Sequence, residues 1–287
     1  ANPSLQAALA RLKQARAIQK EARSGFFPQI EAGIELSRER PSPVSEGLAH
    51  DASTPYTTTW RAEIGLAYEV DLFGRVASAA DGAQADMQRS KALYQSVLLA
   101  LQADIAQNYF LLQELDTERA IYAKAMALRS ESYRLVLGRH TAGAASELDI
   151  SRAQTELESA RSDALAVDRR RATAENALAA LTGQLPADFS APFSMMENVS
   201  IYIPPSFPST LLERRPDIAA AERAMAAANA RIGMAKSAFF PRLTLTAAGG
   251  FESSELNQLF EWSSRTFLLG SLIGGALSLP LFDGGTR

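Results

Sequence analysis

The chain has 287 residues, of which 47% are hydrophobic and 21% charged, the balance of a folded protein. A net charge of −3 argues against a nucleic-acid binder, and the absence of cysteine excludes disulfides and thiolate metal sites. Two histidines leave little material for metal or acid–base chemistry, and no run is long and apolar enough for a transmembrane helix.

Residues 3–24 read as an Ala-rich amphipathic helix ending before Phe26-Phe27-Pro28, because proline disfavours helix at the residue before it. An alternating segment follows, with Ile30, Ala32, Ile34 and Leu36 on one face and Gln29, Glu31, Gly33, Glu35 and Ser37 on the other. After a polar, Pro-containing loop over about 38–57 the alternation returns at greater length. Trp60, Ala62, Ile64, Leu66, Tyr68, Val70 and Leu72 share a face opposite Thr59, Arg61, Glu63, Gly65, Ala67, Glu69 and Asp71. Such a strand spans roughly 40 Å, well beyond the usual strand.

Beyond Gly74 the period changes. Leu98, Leu101, Ile105, Asn108, Leu112, Leu115, Arg119, Tyr122, Met126, Arg129, Tyr133 and Val136 alternate spacings of three and four, a coiled-coil seam interrupted by polar residues. The spacing predicts a helix over about 75–137, ~95 Å long and too long to bury itself in a compact domain. A tip at 138–146 separates it from a second helix, with Ser146 as N-cap and Asp149 in the capping-box position. That helix is expected to end at Gly183, a C-cap glycine. A Pro-rich connector occupies 184–215, followed by a helix at 216–237 and strands near 242–251 and 267–279.

The second half repeats the first. Ala22-Arg-Ser-Gly-Phe-Phe-Pro28 returns as Ala235-Lys-Ser-Ala-Phe-Phe-Pro241, and Val70-Asp-Leu-Phe73 as Leu279-Pro-Leu-Phe282. A recurrence at about 210 residues is a duplicated module rather than a solenoid repeat. The organisation expected is therefore a first repeat at 1–183, the connector at 184–215, and a second repeat at 216–287 whose strands are not followed by a hairpin within these residues. The chain is expected to be part of a longer protein. Strands with an apolar face bearing Trp60 and Tyr68 and a charged face opposite fit a membrane β-barrel better than a sheet with one wet face. Four strands cannot close a barrel alone, so several copies are expected to assemble.

No enzyme constellation emerges. Glu147 with Asp149 and Glu156 with Glu158 sit on solvated helices, neither His50 nor His140 has a ligand partner at metal spacing, and Gly249-Gly250 and Gly284-Gly285 lack the lysine of a phosphate loop. No cofactor and no metal are expected.

Several segments together resemble the TolC-like outer-membrane efflux channels, in the branch serving resistance-nodulation-division pumps. They are Phe26-Phe27-Pro28, Tyr68-Glu-Val-Asp-Leu-Phe-Gly-Arg75, Gly143-Ala-Ala-Ser-Glu-Leu-Asp149, Glu213-Arg-Arg-Pro-Asp-Ile218, Ile232-Gly233 with Ala235 and Ser237-Ala-Phe-Phe-Pro241, and Leu279-Pro-Leu-Phe-Asp-Gly-Gly285. Tyr68 stands where the family often has Trp. The resemblance implies a mainly α fold with β: a long coiled-coil helical hairpin joined to four long antiparallel strands, three copies contributing to one 12-stranded trimeric β-barrel. It implies a homotrimer in the outer membrane of a Gram-negative bacterium, in contact with outer-membrane lipid and with its helices in the periplasm. A periplasmic adaptor (membrane fusion) protein and an inner-membrane resistance-nodulation-division transporter are the implied partners, and passage of small molecules or drugs is the implied activity. A signal region before Ala1 and a second, gate-forming hairpin after Arg287 are expected from the family.

The site residues follow. Arg139, Gly143, Ser146, Leu148 and Asp149 are expected to form the adaptor-docking tip. Glu31, Glu35, Arg61, Glu63, Glu69 and Asp71 are expected to line the channel lumen, where repeated charges bias permeation. Phe26, Phe27, Pro28, Phe239, Phe240 and Pro241 are expected to pack the helix-to-strand junctions. Two other readings stand beside this one: the same duct in type I protein secretion, and a soluble coiled-coil scaffold with no channel.

Overall fold

The structure, a computed structural model, describes residues 2–196, 209–268 and 275–278. Its helices are α1 (Pro3–Ser24), α2 (Arg75–Thr141), α3 (Glu147–Thr182), α4 (Thr210–Arg214) and α5 (Pro216–Ser237); its strands are β1 (Gln29–Glu39), β2 (Thr57–Val70), β3 (Arg242–Ser253), β4 (Arg265–Leu268) and β5 (Gly275–Ser278). Contacts divide the chain into two compact units, Ala1–Leu12 with Ser90–Ala219, and Lys13–Arg89 with Ala220–Arg287. Each unit draws on both sequence repeats.

The first unit is built on the hairpin of α2 and α3. Every seam position of α2 is buried or half-buried except Arg119 and Arg129. Those two lie against acids of α3. Arg119 Nε is 2.9 Å from Asp168 Oδ1, an ion pair rather than an aligned hydrogen bond, and Arg129 pairs with Glu156. The two charged interruptions of the seam are thus bridges to the returning arm, whereas Asn108 donates to the Asp104 carbonyl of its own helix at 2.8 Å. Leu112 and Leu115 meet Val167 and Ala174 in the buried core, with Tyr122 and Ala191 packed against it.

Beside that core lies a charged clamp. Asp116 is 1% exposed and accepts from Arg171 Nε at 2.6 Å and from the Ser194 backbone N–H at 3.0 Å. Arg171 also donates to Glu175 at 2.9 Å and to the Ala191 carbonyl at 3.2 Å, and Glu175 accepts the Ala191 N–H at 2.7 Å. Hydrogen bonds from both carboxylates' side raise the Arg171 pKa, Asp116 first. The start of the connector is thereby fastened to both arms of the hairpin. Residues 197–208 of the connector lie outside the described residues.

The second unit carries the sheet, in the order β1-β2-β3-β4 with β5 also on β3, all pairs antiparallel. Its register settles the faces. Ile34 pairs with Ala62 and Ala62 with Phe251; Ile30 pairs with Leu66 and Leu66 with Ala247. Trp60, Tyr68, Leu243 and Leu245 join that apolar face, as the alternation predicts. All eleven residues of β1, which ends the sheet, are exposed. Close packing of α2 on α5 uses small residues: a Cβ at Gly82 would lie 3.5 Å from the Ala230 Cβ, and one at Gly233 only 2.8 Å from Ser78 Oγ.

Several boundaries differ from the sequence expectation. The helix predicted to stop at 137 runs through Gly138 to Thr141, whose hydroxyl donates to the Gly138 carbonyl at 2.8 Å. Strand β2 stops at Val70, leaving Asp71 and Leu72 beyond it. Strand β3 continues past 251 to Ser253, and the fourth predicted strand, 267–279, begins earlier, at Arg265. Residues 269–274 and the Leu279–Gly285 motif lie outside the described residues.

Candidate functional sites

The tip is a turn closed by backbone chemistry at both ends. The Ala144 N–H bonds the Arg139 carbonyl and the Gly143 N–H the His140 carbonyl, both at 2.8 Å, a Schellman closure of α2. It needs Gly143 in the left-handed region, φ 78°. Ser146 then opens α3 with the capping box read from the sequence. Its hydroxyl accepts the Asp149 N–H at 3.3 Å, while Asp149 Oδ2 accepts the Ser146 N–H at 3.0 Å and the Ser146 hydroxyl at 2.7 Å. These bonds hold the Asp149 pKa below the usual carboxylate range, the Ser146 hydroxyl contributing most and Arg152 adding to it. Leu148 stands exposed on the same turn. His140 Nε2, 3.4 Å from Glu147 Oε2, bridges the two arms, a pairing that sequence spacing did not single out.

The polar face of the sheet gathers Glu31, Glu35, Arg61 and Glu63, with Glu35 opposite Arg61 in the register. Glu31 lies opposite Gly65, and Glu63 lies between Gly33 and Gly250. A Cβ at Gly250 would run into the Ala62 carbonyl oxygen, so that position accepts no side chain. Among the described residues Glu31, Glu35 and Glu63 form no ion pair, whereas Arg61 is gripped through two nitrogens by Glu252 at 3.0 and 2.8 Å. Glu252 lies one residue past the end expected for this strand, and the alternation Arg242, Thr244, Thr246 continues through Gly250 to reach it.

Glu69 and Asp71 are engaged elsewhere. Glu69 binds Arg75 through both oxygens, at 2.7 and 2.6 Å. Asp71, off the strand, accepts the Val76 and Ala77 N–H groups at 3.0 and 2.8 Å and so caps α2, a carboxylate at the positive end of the helix.

The two helix-to-strand junctions are near-copies. Phe26 and Phe27 donate to the Arg23 and Ser24 carbonyls at 3.2 and 3.0 Å; Phe239 and Phe240 donate to Lys236 and Ser237 at 3.2 and 3.1 Å. Ser24 and Ser237 each bond back to the carbonyl three residues earlier at 2.7 Å. Pro28 and Pro241 follow, each just before its strand. The rings diverge: Phe240 stacks on Phe73 with centroids 4.7 Å apart, whereas Phe27 is 68% exposed.

The sheet is split by register into an apolar and a charged face, and the chain's other unit is a charge-stitched helical hairpin with a capped tip. Comparison with known proteins assigns this combination to a family. The chain belongs to the outer membrane efflux protein family, whose sequence profile matches residues 1–184 and 207–287. It is 36% identical over 290 residues to the outer membrane protein OprJ of Pseudomonas aeruginosa, covering 99% of this chain and 58% of that protein. It is 34% identical to the toluene efflux pump outer membrane protein TtgC of Pseudomonas putida, again over 99% of this chain and 58% of the relative. The solved Campylobacter jejuni CmeC outer membrane channel superposes with a TM-score of 0.88 at 25% identity, covering all of this chain (100%) and 60% of that one. The chain thus spans somewhat over half the length of the curated relatives it matches.

Proposed function

We propose that the protein is the outer-membrane exit duct of a tripartite efflux pump, a conductor of small molecules rather than an enzyme. The observation that carries this reading is the register of β1, β2 and β3, which keeps apolar residues on one face and Glu31, Glu35, Arg61, Glu63 and Glu252 on the other. The apolar face meets lipid and the charged face meets the aqueous duct. The free edge at β1 supports assembly of three copies into a 12-stranded barrel. In this reading the turn carrying Arg139, Gly143, Ser146, Leu148 and Asp149 docks a periplasmic adaptor, which couples the duct to an inner-membrane resistance-nodulation-division transporter. Relatives named for toluene, solvent and antibiotic efflux indicate small organic cargo.

The test is fractionation of the protein in its host, followed by drug-susceptibility assays on a deletion strain. Sedimentation with outer membranes, a detergent-stable trimer and restored resistance are expected. A protein recovered as a soluble monomer or dimer is the coiled-coil scaffold instead, and one that restores export of a protein rather than resistance is a secretion duct.

A further inference from the structure

The apolar face is not uniform. Where β3 leads into β4, residues 254–264 form a built loop rather than a slack one. Leu259 is completely buried and anchors it, and the Ser264 hydroxyl donates to the Gln258 carbonyl at 2.8 Å. Phe260 packs edge-on against Phe251, ring centroids 5.8 Å apart. The loop and the sheet together enclose a groove of about 580 Å³. Its floor is low because Ala32, Ala62 and Gly249 are small, and Ile34, Ile64 and Phe251 make it apolar. Phe260, Trp262 and Arg265 form its wall, and Glu63 borders it from the neighbouring strand position.

One group does not suit a purely hydrocarbon neighbour. Arg265 pairs with Phe251 in the register and so belongs to the apolar face, yet it has no carboxylate partner among the described residues. Its guanidinium carbon lies 3.5 Å from the centre of the Trp262 ring, and Trp262 is 74% exposed. Stacking on an aromatic occupies the face of a guanidinium and leaves its N–H edge free, the arrangement that suits bidentate binding of phosphate. Arg61, on the opposite face, has its N–H edge filled by Glu252. A free cation above an apolar trough calls for a ligand that is anionic at one end and apolar along its length.

We propose that this groove binds a phosphate-bearing lipid of the outer membrane, with one acyl chain along Ile34, Ile64 and Phe251 and the phosphate on the stacked Arg265. The proposal rests on the reading that the apolar face meets lipid. It adds one fixed lipid with a defined headgroup contact, where that reading asks only for a bilayer around the barrel.

The test uses the complete protein, delipidated in detergent, with native mass spectrometry after addition of dimyristoyl phosphatidylglycerol, dimyristoylglycerol or inorganic phosphate. Wild type is expected to retain the phosphatidylglycerol and to release it only weakly to inorganic phosphate. Arg265→Gln is expected to lower retention about fivefold, the scale of one arginine at a charged lipid surface. Trp262→Ala is expected to lower it in the same direction. Arg61→Gln, on the other face, is expected to leave it unchanged. Arg265→Lys, which keeps charge and fold but not the stack, serves if Arg265→Gln does not assemble, and it is expected to fall between the two. Equal retention by wild type and the Arg265 variants overturns the proposal, as does equal retention of dimyristoylglycerol. Displacement by inorganic phosphate alone also overturns it, because the site is then an anion site without an acyl trough. Outer-membrane sedimentation of the same variants reports on the duct reading separately.

Discussion

Asp116 and Asp149 do the same chemistry at opposite ends of one hairpin. Each carboxylate accepts a backbone N–H, from Ser194 in one case and Ser146 in the other, and each adds a side-chain donor, Arg171 or the Ser146 hydroxyl. Their surroundings differ completely. Asp116 is sealed beside Leu112, Leu115 and Val167, whereas Asp149 is fully open to water. Burial turns the first into a fastening that is costly to release, because an orphaned partner would remain in a poorly hydrated site. Exposure makes the second a shape-setting contact that water can replace. The hairpin is fixed where the connector meets it and adjustable at its tip.

Removing the buried carboxylate has the largest expected effect. Asp116→Ala is expected to cost about 3–5 kcal/mol in denaturant unfolding, by stranding Arg171. It should also speed protease cleavage around residues 191–196, which lose the Ser194–Asp116 bond. The double replacement Asp116→Leu with Arg171→Met is expected to recover most of that loss, since a buried ion pair adds little over good apolar packing. At the tip, Ser146→Ala is expected to cost about 1 kcal/mol. Hydrogen exchange should locate that loss in the first turn of α3 and leave the clamp untouched.

Acid weakens the exposed cap. The folded-state pKa of Asp149 is depressed, so its capping contribution is complete above the ordinary carboxylate range. That contribution disappears as pH falls through the depressed value. Exchange at the Glu147–Ile150 amides should therefore rise below about pH 4, and the rise should be absent in Asp149→Ala. Asp217, bonded through Arg215 and held down to about 2, should behave likewise at the start of α5, but at still lower pH. The smallest stability effect is expected for Arg61→Gln, whose pair with Glu252 is open to solvent. Its melting midpoint should not move. If the complete protein is the proposed duct, its conductance in planar bilayers should become more cation-selective, since the polar face then keeps its acids and loses a cation.

Much of this architecture was legible because its signals are local and periodic. The exits of α1 and α5, the two-faced strands and the Ser146–Asp149 box all lie within a few residues of their cause. Failures fall where the cause is distant or the pattern runs on past its meaning. The alternation continues formally through Asp71 and Leu72, but Gly74 turns the chain with φ 71° and the Asp71 carboxylate is taken by the first amides of α2. Gly138 looked like a stop, yet the turn is made by Gly143, where the backbone requires glycine. Asp116 gave no sign of its importance: it sits one place off the seam at Leu115, and its partner lies 55 positions away. Arg119 and Arg129 were legible as interruptions but not as bridges, since their acids belong to the other arm.

Those bridges also limit how the hairpin can move. His140 with Glu147, Arg129 with Glu156, Arg119 with Asp168 and Arg171 with Asp116 succeed one another from tip to clamp. They mesh like the teeth of a rack. Sliding one arm along the other by a single turn, ~5.4 Å, would disengage every tooth at once and drag the buried pair out of register. Rolling the arms about their common axis, or splaying them at the tip, disengages only the exposed end. A hairpin keyed in this way transmits torsion and resists shear.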